Sequence, residues 1–328
     1  GGFWVAVPLI IVGCVALIKG ADFLVDGASG LAKKYGVSDI VIGLTVVAFG
    51  TSMPEFVVNM VAVGQGSTEI AITNVLGSNI INTFVILGCT ALIFPISSQK
   101  NTRRFDIPFS MLAALLVLLF AVYNSPSWLQ IEHIFNMNIA DPTLSDLGSI
   151  QMGQGNGGFI SGVGGSILLI FFLIFLWHNF KGIGSAPQTE SNEGYKPMSA
   201  KRALALILGG LVGLVVGGEL IVKSATSIAH SLGVSDAIIG LTVVALGTSL
   251  PELATSCMAA FKKNCDIALG NVIGSNIFNI FFILGTSACV KALPGYHGLE
   301  IDALMAALGR VLVMLFVYTT KRHEIKRW

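Results

Sequence analysis

Long apolar stretches, divided by short polar interruptions, give this chain about nine runs of membrane-spanning length, since a span needs about 20 predominantly apolar residues. The pattern predicts helix 1 over about Phe3 to Lys33, with Lys19, Asp22 and Asp26 in its second half. Helix 2 covers about Val37 to Val63 and is interrupted at Gly50-Thr-Ser-Met-Pro54, because proline lacks an N–H and clashes with the preceding turn. Helix 3 runs from about Glu69 to Phe94 and helix 4 from about Asp106 to Tyr123. A polar insert, 124–158, follows, and then helix 5 over about Phe159 to Phe180. Helices 6 to 9 begin near Ala200, Val234, Asp266 and Leu299.

Composition changes that picture little and charge changes it more. The 328 residues are 54% hydrophobic and 11% charged, where a soluble domain carries roughly 25% charged residues. The fold class is therefore an all-α polytopic membrane protein, with the lipid bilayer as its first partner. A net charge of +1 and no basic patch interleaved with aromatics give no reason to expect nucleic acid. Cys14, Cys89, Cys257, Cys265 and Cys289 lack metal-ligand spacing and read as small apolar packing residues. The first apolar run continues into a patterned helix, so it is not read as a cleavable signal peptide.

The chain repeats itself. Residues 36–82 align without a gap on 233–279 with about 26 identities in 47 positions, a duplication and not a shared hydropathy. Three segments follow: a first repeat half at 1–181 (helices 1 to 5), a linker at 182–199, and a second half at 200–328 (helices 6 to 9). The repeat calls for a tenth helix that these residues do not supply. Short loops place Lys33/Lys34, Lys100/Arg103/Arg104, Lys181/Lys196/Lys201/Arg202, Lys262/Lys263 and the basic stretch from Lys321 on one side, whereas insert 124–158 has no Lys or Arg. That bias predicts the amino terminus outside and the linker in the cytoplasm. Five spans per half then make the two repeats inverted, an architecture that places sites near the midplane on discontinuous helices.

The candidate chemistry lies in the duplicated part. Carbonyls freed at a break need partners that lipid does not provide. Gly50-Thr-Ser-Met-Pro-Glu55 and Gly247-Thr-Ser-Leu-Pro-Glu252 each set a carboxylate one turn from a threonine. Asn74, Ser78 and Asn82 form a polar stripe that recurs as Asn271, Ser275 and Asn279. Oxygen donors without His or Cys suit a hard cation such as Ca²⁺, Mg²⁺ or Na⁺. The bland alternative makes the hydroxyls and amides interhelical glue. It is weaker for Glu55 and Glu252, because intramembrane carboxylates are costly and functional by default. Lys19, Asp22, Asp26, Glu219 and Lys223 read as structural pairs or snorkelling residues. Glu69 and Asp266 read as helix-start acids. His133, His178, His230, His297 and His323 receive no role.

The paired Gly-Thr-Ser-X-Pro-Glu segments, each followed by Gly-Ser-Asn-Ile-X-Asn, resemble the alpha-repeats of the calcium/cation antiporter superfamily, in its sodium/calcium exchanger branch. The resemblance implies a ten-helix fold in which helices 2, 3, 7 and 8 bind ions while helices 1 and 6 slide across them. It implies that Glu55, Glu252 and the carbonyls of Thr51 and Thr248 coordinate Ca²⁺. Sodium would draw on Ala48, Thr51, Ser52, Glu55 and Ser78 in one half and Ala245, Thr248, Ser249, Glu252 and Ser275 in the other, with Asn82 and Asn279 completing the central site. It further implies three Na⁺ per Ca²⁺, hence electrogenic exchange, and no cofactor. An amide at Asn279, where potassium-using members carry Asp, argues for K⁺ independence. The short linker leaves no room for calcium-sensing domains, and the compact architecture suggests a bacterial inner membrane. A proton/calcium antiporter is the alternative; an intramembrane metal-dependent enzyme or a cation channel stands behind it.

Overall fold

A computed structural model describes residues 2–123, 160–181, 198–234, 245–295, 299–320 and 324–325. Insert 124–158, most of the linker, most of the stretch from Lys321 onward, His133, His297 and His323 lie outside the described residues, as does the start of the run predicted from Val234.

In chain order the elements are α1 (Gly2–Tyr35), the bent pair α2 (Asp39–Thr51) and α3 (Met53–Gly64), α4 (Thr68–Ile93), and strand β1 (Ile96–Ser97). Helix α5 starts as a π turn at Thr102–Asp106 and continues through Ile107–Tyr123; α6 is Gly162–Lys181 and α7 is Ala200–Ser231. The remainder is α8 (Ala245–Gly247), α9 (Leu250–Phe261), α10 (Cys265–Val290), α11 (Leu299–Thr319) and β2 (Glu324–Ile325). Seven of these helices are long and apolar enough to cross a bilayer alone, and α2 with α3, bent by 45°, passes as an eighth. The sequence pattern placed these spans to within a few residues, with α5 starting four residues before the expected Asp106.

Burial sorts the helices by position. In the most apolar stretch of α10, 94% of residues are buried, against 22% in α1, so α10 is the hub and α1 lies at the periphery. Ile11 and Val15 on α1, Leu173 on α6, Val212 on α7 and Leu315 on α11 are exposed large apolar side chains, as a lipid-facing surface requires. Inside, Phe109, Phe171, Phe175 and Phe281 join α5, α6 and α10 in one aromatic cluster.

Glycine lets two elements approach closely. A Cβ added at Gly20 would lie 2.7 Å from the Gly210 carbonyl oxygen, and one at Gly210 would lie 2.7 Å from that of Gly20. Helices α1 and α7 therefore run backbone against backbone, as small residues permit in membranes. In the second half of α1, Lys262 bridges Asp22 at 2.5 Å and Asp26 at 2.6 Å, which ties α1 to the α9–α10 loop. Glu219 pairs with Lys223 at 2.6 Å on the exposed side of α7. Asp266 sits in the first turn of α10 and accepts from Gln99 at 2.5 Å, while Asn264 caps that helix through the Ile267 N–H. His178 stacks on Phe105.

Among the described residues, four π stretches occur within or at the start of the helices, at Gly43–Val47, Ile81–Ile86, Thr102–Asp106 and Phe278–Leu284. Each widens the turn by a residue and re-aims the side chains beyond it. Two of them occupy the same place in the repeat: Asn82 and Asn279 are each the second residue of a π stretch.

Candidate cation-binding site

The break between α2 and α3 follows from Pro54, which has no N–H to give the Gly50 carbonyl. Ser52 N–H bonds the Ala48 carbonyl and Phe56 N–H the Ser52 carbonyl, both at 3.1 Å. In the second copy, Ser249 N–H bonds Leu246 at 3.2 Å and Leu253 N–H bonds Ser249 at 3.0 Å. None of these bonds uses the carbonyl of Thr51 or Thr248. Beyond each break a new helix starts, and Glu55 and Glu252 fall in its first turn, where the helix dipole favours a carboxylate.

Each half supplies a hydroxyl to the other half's carboxylate. Ser52 Oγ donates to Glu252 Oε1 at 2.9 Å, and Ser249 Oγ donates to Glu55 Oε1 at 3.5 Å. The α4 and α10 asparagines brace the same helices from behind. Asn74 Nδ2 donates to the Glu55 carbonyl at 3.3 Å and to Asn59 Oδ1 at 2.7 Å, and Asn271 Nδ2 donates to the Glu252 carbonyl at 3.3 Å and to Ser256 Oγ at 2.9 Å. Thr51 Oγ1 adds a 3.0 Å bond to Asn271 Oδ1, whereas its counterpart Thr248 Oγ1 has no partner. Gly274, on α10, faces Ala48: a Cβ there would lie 2.7 Å from the Ala48 Cβ, so only glycine admits α2 this close.

Four asparagines close the other wall. Asn82 Nδ2 donates to Asn276 Oδ1 at 3.2 Å and Asn279 Nδ2 to Asn79 Oδ1 at 3.0 Å, while Asn79 Nδ2 donates to the Asn276 carbonyl at 3.2 Å. With their NH₂ groups engaged, Asn82 and Asn279 keep Oδ1 free; both oxygens are buried without a partner. Glu55 Oε2, Glu252 Oε2, Ser275 Oγ and Thr248 Oγ1 share that condition. Glu55 and Glu252 are each 1% exposed. Buried polar atoms are ordinarily paired, and an unpaired one costs its full desolvation. The unpartnered atoms here are carboxylate, carboxamide and hydroxyl oxygens, the donor set of a hard cation.

The sequence-derived residues thus fall into two groups. Thr51, Ser52, Glu55, Ser78, Asn82, Ser249, Glu252, Ser275 and Asn279 are buried on the broken helices and on α4 and α10, Ala48 is buried at the break, and Thr248 is partly buried. For Ala245 only the backbone, at the start of α8, is described. Asn74 and Asn271, read from the sequence as part of the same polar stripe, brace the broken helices from behind and leave no amide N–H for the cage. Asn79 and Asn276 were the omission. They are the third residue of each Gly-Ser-Asn-Ile-X-Asn segment, so their duplication was the signal, but the four-residue spacing of the stripe passed over them. Asn59 and Ser256 occupy matching positions of the repeat but are different residues, so no shared motif singled them out.

Comparison with known proteins gives an independent result. The chain matches the family described as sodium/calcium exchanger protein over residues 5–181 and 202–328. It is 34% identical over 338 residues to the sodium/calcium exchanger MaX1 of Methanosarcina acetivorans, covering 98% of this chain and 93% of that protein. It is 32% identical over 301 residues to the inner membrane protein YrbG of Escherichia coli, covering 91% and 82%. Among solved structures, the sodium/calcium exchanger from Methanococcus jannaschii superposes with a TM-score of 0.76 at 32% identity, covering 98% of this chain and 92% of that one.

Proposed function

This chain belongs to the sodium/calcium exchanger protein family, and from that membership we propose that it exchanges Na⁺ for Ca²⁺ across a membrane by alternating access. It is an integral multi-pass membrane protein of the cation/Ca²⁺ antiporter class. The observation that carries the proposal is the set of buried, unpartnered oxygens between the two broken helices: Glu55 Oε2, Glu252 Oε2, Asn82 Oδ1, Asn279 Oδ1, Ser275 Oγ and Thr248 Oγ1.

Both ions use one cage. Ca²⁺ is held by Glu55, Glu252 and the carbonyls of Thr51 and Thr248; Na⁺ ions use Ala48, Ser52 and Ser78 in one half and Ala245, Ser249 and Ser275 in the other, with Asn82 and Asn279 at the centre. Two ionised carboxylates balance one Ca²⁺ or two Na⁺, and a third Na⁺ carries the net charge that makes exchange electrogenic. An empty, doubly charged cage is costly inside the bilayer, so the carrier crosses only when loaded. Competition for the same carboxylates is then sufficient to couple the two fluxes. Exchange is electrogenic and independent of K⁺, the latter because Asn279 is an amide. The halves are inverted repeats, with the amino terminus outside a bacterial inner membrane, a reading supported by the loop charges and by the likeness to the inner membrane protein YrbG.

Sodium-gradient-driven ⁴⁵Ca²⁺ flux in proteoliposomes tests this. Wild-type protein is expected to take up Ca²⁺ against an outward Na⁺ gradient, and Glu55→Gln and Glu252→Gln are each expected to abolish it. Full flux in either variant refutes the site; uptake driven by a pH gradient without Na⁺ refutes sodium coupling and favours proton/calcium exchange.

A further inference from the structure

Among the described residues, Arg310 is the buried basic side chain, 3% exposed on α11 within a membrane span. Guanidinium groups stay protonated in proteins and are expensive in a bilayer unless paired. Arg310 is held by two hydroxyls and not by a carboxylate: Nε donates to Ser110 Oγ on α5 at 3.0 Å, Nη1 donates to Thr83 Oγ1 on α4, and Nη2 has no partner. Thr83 is the neighbour of Asn82. Its hydroxyl accepts from Asn276 Nδ2 at 3.5 Å and donates to the Asn79 carbonyl at 2.9 Å. The guanidinium is therefore bonded into the network that orients the cage amides.

The second observation comes from the repeat. Pairing Asp106 with Asp302 lays α5 on α11, with Leu116-Val117 on Leu312-Val313 and Leu119-Phe120 on Leu315-Phe316. Arg310 then corresponds to Ala114 and Ser110 to Ala306, while Thr83 corresponds to Ile280 in the register already described. Ala114, Ala306 and Ile280 are all buried. The two halves together thus place three apolar residues on one side of the repeat symmetry where the mirror side has a guanidinium and the two hydroxyls that hold it. A packing compromise at one position would not alter three positions together on one side.

We propose that Arg310 is a resident positive charge in the wall of the cation cage, a specificity-determining residue that weakens cation binding on the Asn82 side and penalises Ca²⁺ more than Na⁺. The proposal rests on the cage reading above. Repulsion scales with ionic charge, so whatever factor Arg310 imposes on Na⁺ affinity it imposes squared on Ca²⁺. A cage of two carboxylates without this charge would hold the divalent ion too firmly for Na⁺ to displace it. The resident charge brings the two affinities within reach of each other.

Equilibrium binding of ⁴⁵Ca²⁺ and ²²Na⁺ to the purified full chain tests this, with Glu55→Gln measured in parallel. Arg310→Gln is expected to tighten Na⁺ about tenfold and Ca²⁺ about a hundredfold, the scale of one unit charge about 12 Å from the ion at an effective dielectric near 20. Arg310→Lys, which keeps the charge, is expected to retain the wild-type affinities. The triple variant T83I/S110A/R310A installs the apolar set that the mirror site, Ile280, Ala306 and Ala114, already packs, and is expected to tighten both ions as Arg310→Gln does. If either neutral variant folds and leaves both affinities unchanged, weakens them, or shifts both by the same factor, the inference is overturned. If Glu55→Gln leaves Ca²⁺ binding intact, the cage reading itself fails and takes this inference with it; if Glu55→Gln abolishes binding and the Arg310 variants change nothing, this inference alone fails.

Discussion

A carboxamide presents its oxygen to an ion only when its NH₂ is held elsewhere. Asn276 Oδ1 and Asn79 Oδ1 do that for Asn82 and Asn279, at 3.2 and 3.0 Å. Asn276→Ala removes the acceptor for Asn82, so the amide is free to rotate and offer N–H to the cage. A net hydrogen bond of about 1 kcal/mol corresponds to roughly fivefold in affinity, and that is the expected loss in apparent Ca²⁺ affinity, with Glu55 and Glu252 unchanged. Measuring KM against maximal flux checks it: a variant that lowers only the maximal rate contradicts the orienting role. At Asn279 the expectation has the opposite sign. Asn279→Asp adds a third carboxylate, and K⁺ should then stimulate ⁴⁵Ca²⁺ flux where wild-type protein is expected to give no response.

The elements show how far a sequence speaks for itself. The broken helices were legible because Pro54 and Pro251 are read directly off the chain and their consequence is local. The spans were legible because lipid demands long apolar runs, and the candidate site's carboxylates and hydroxyls because they are duplicated in an apolar setting. The π stretches were not, since Ile81–Ile86 and Phe278–Leu284 keep the apolar composition of an ordinary helix and only the backbone records the extra residue. Nor was the reach of Lys262 to Asp22 and Asp26 legible, because it links residues far apart in sequence. The close contact of α1 and α7 has its own consequence. Gly20→Val forces a side chain into the Gly210 carbonyl, and overpacking of this kind costs about 1–3 kcal/mol. A lower thermal-unfolding midpoint in detergent is expected, with Gly64→Ala, where an added Cβ meets nothing within 4 Å, as the unaffected control. By contrast, Lys262 and its two acids are partly exposed, with side-chain exposures of 22%, 29% and 39%, so Lys262→Ala should cost less than about 1 kcal/mol.

For the whole molecule, the central matter is the joining of two half-sites across one bundle. Ser52 reaches Glu252 and Ser249 reaches Glu55, so neither carboxylate has its hydroxyl partner within its own half. A site built this way needs both halves at once, which suits a carrier whose ions must be enclosed before they cross. Symmetry is broken at defined places: Thr51 is bonded to Asn271 where Thr248 is unpartnered, and Arg310 stands where the mirror position has Ala114. On the proposed mechanism, Na⁺ and Ca²⁺ share this one cage. The most direct test of that sharing is Na⁺ competition against ⁴⁵Ca²⁺ bound to purified protein in the absence of any gradient. Complete displacement is expected, with a midpoint that rises with Ca²⁺ concentration and with all binding lost in Glu55→Gln. Calcium that stays bound under saturating Na⁺ would contradict it.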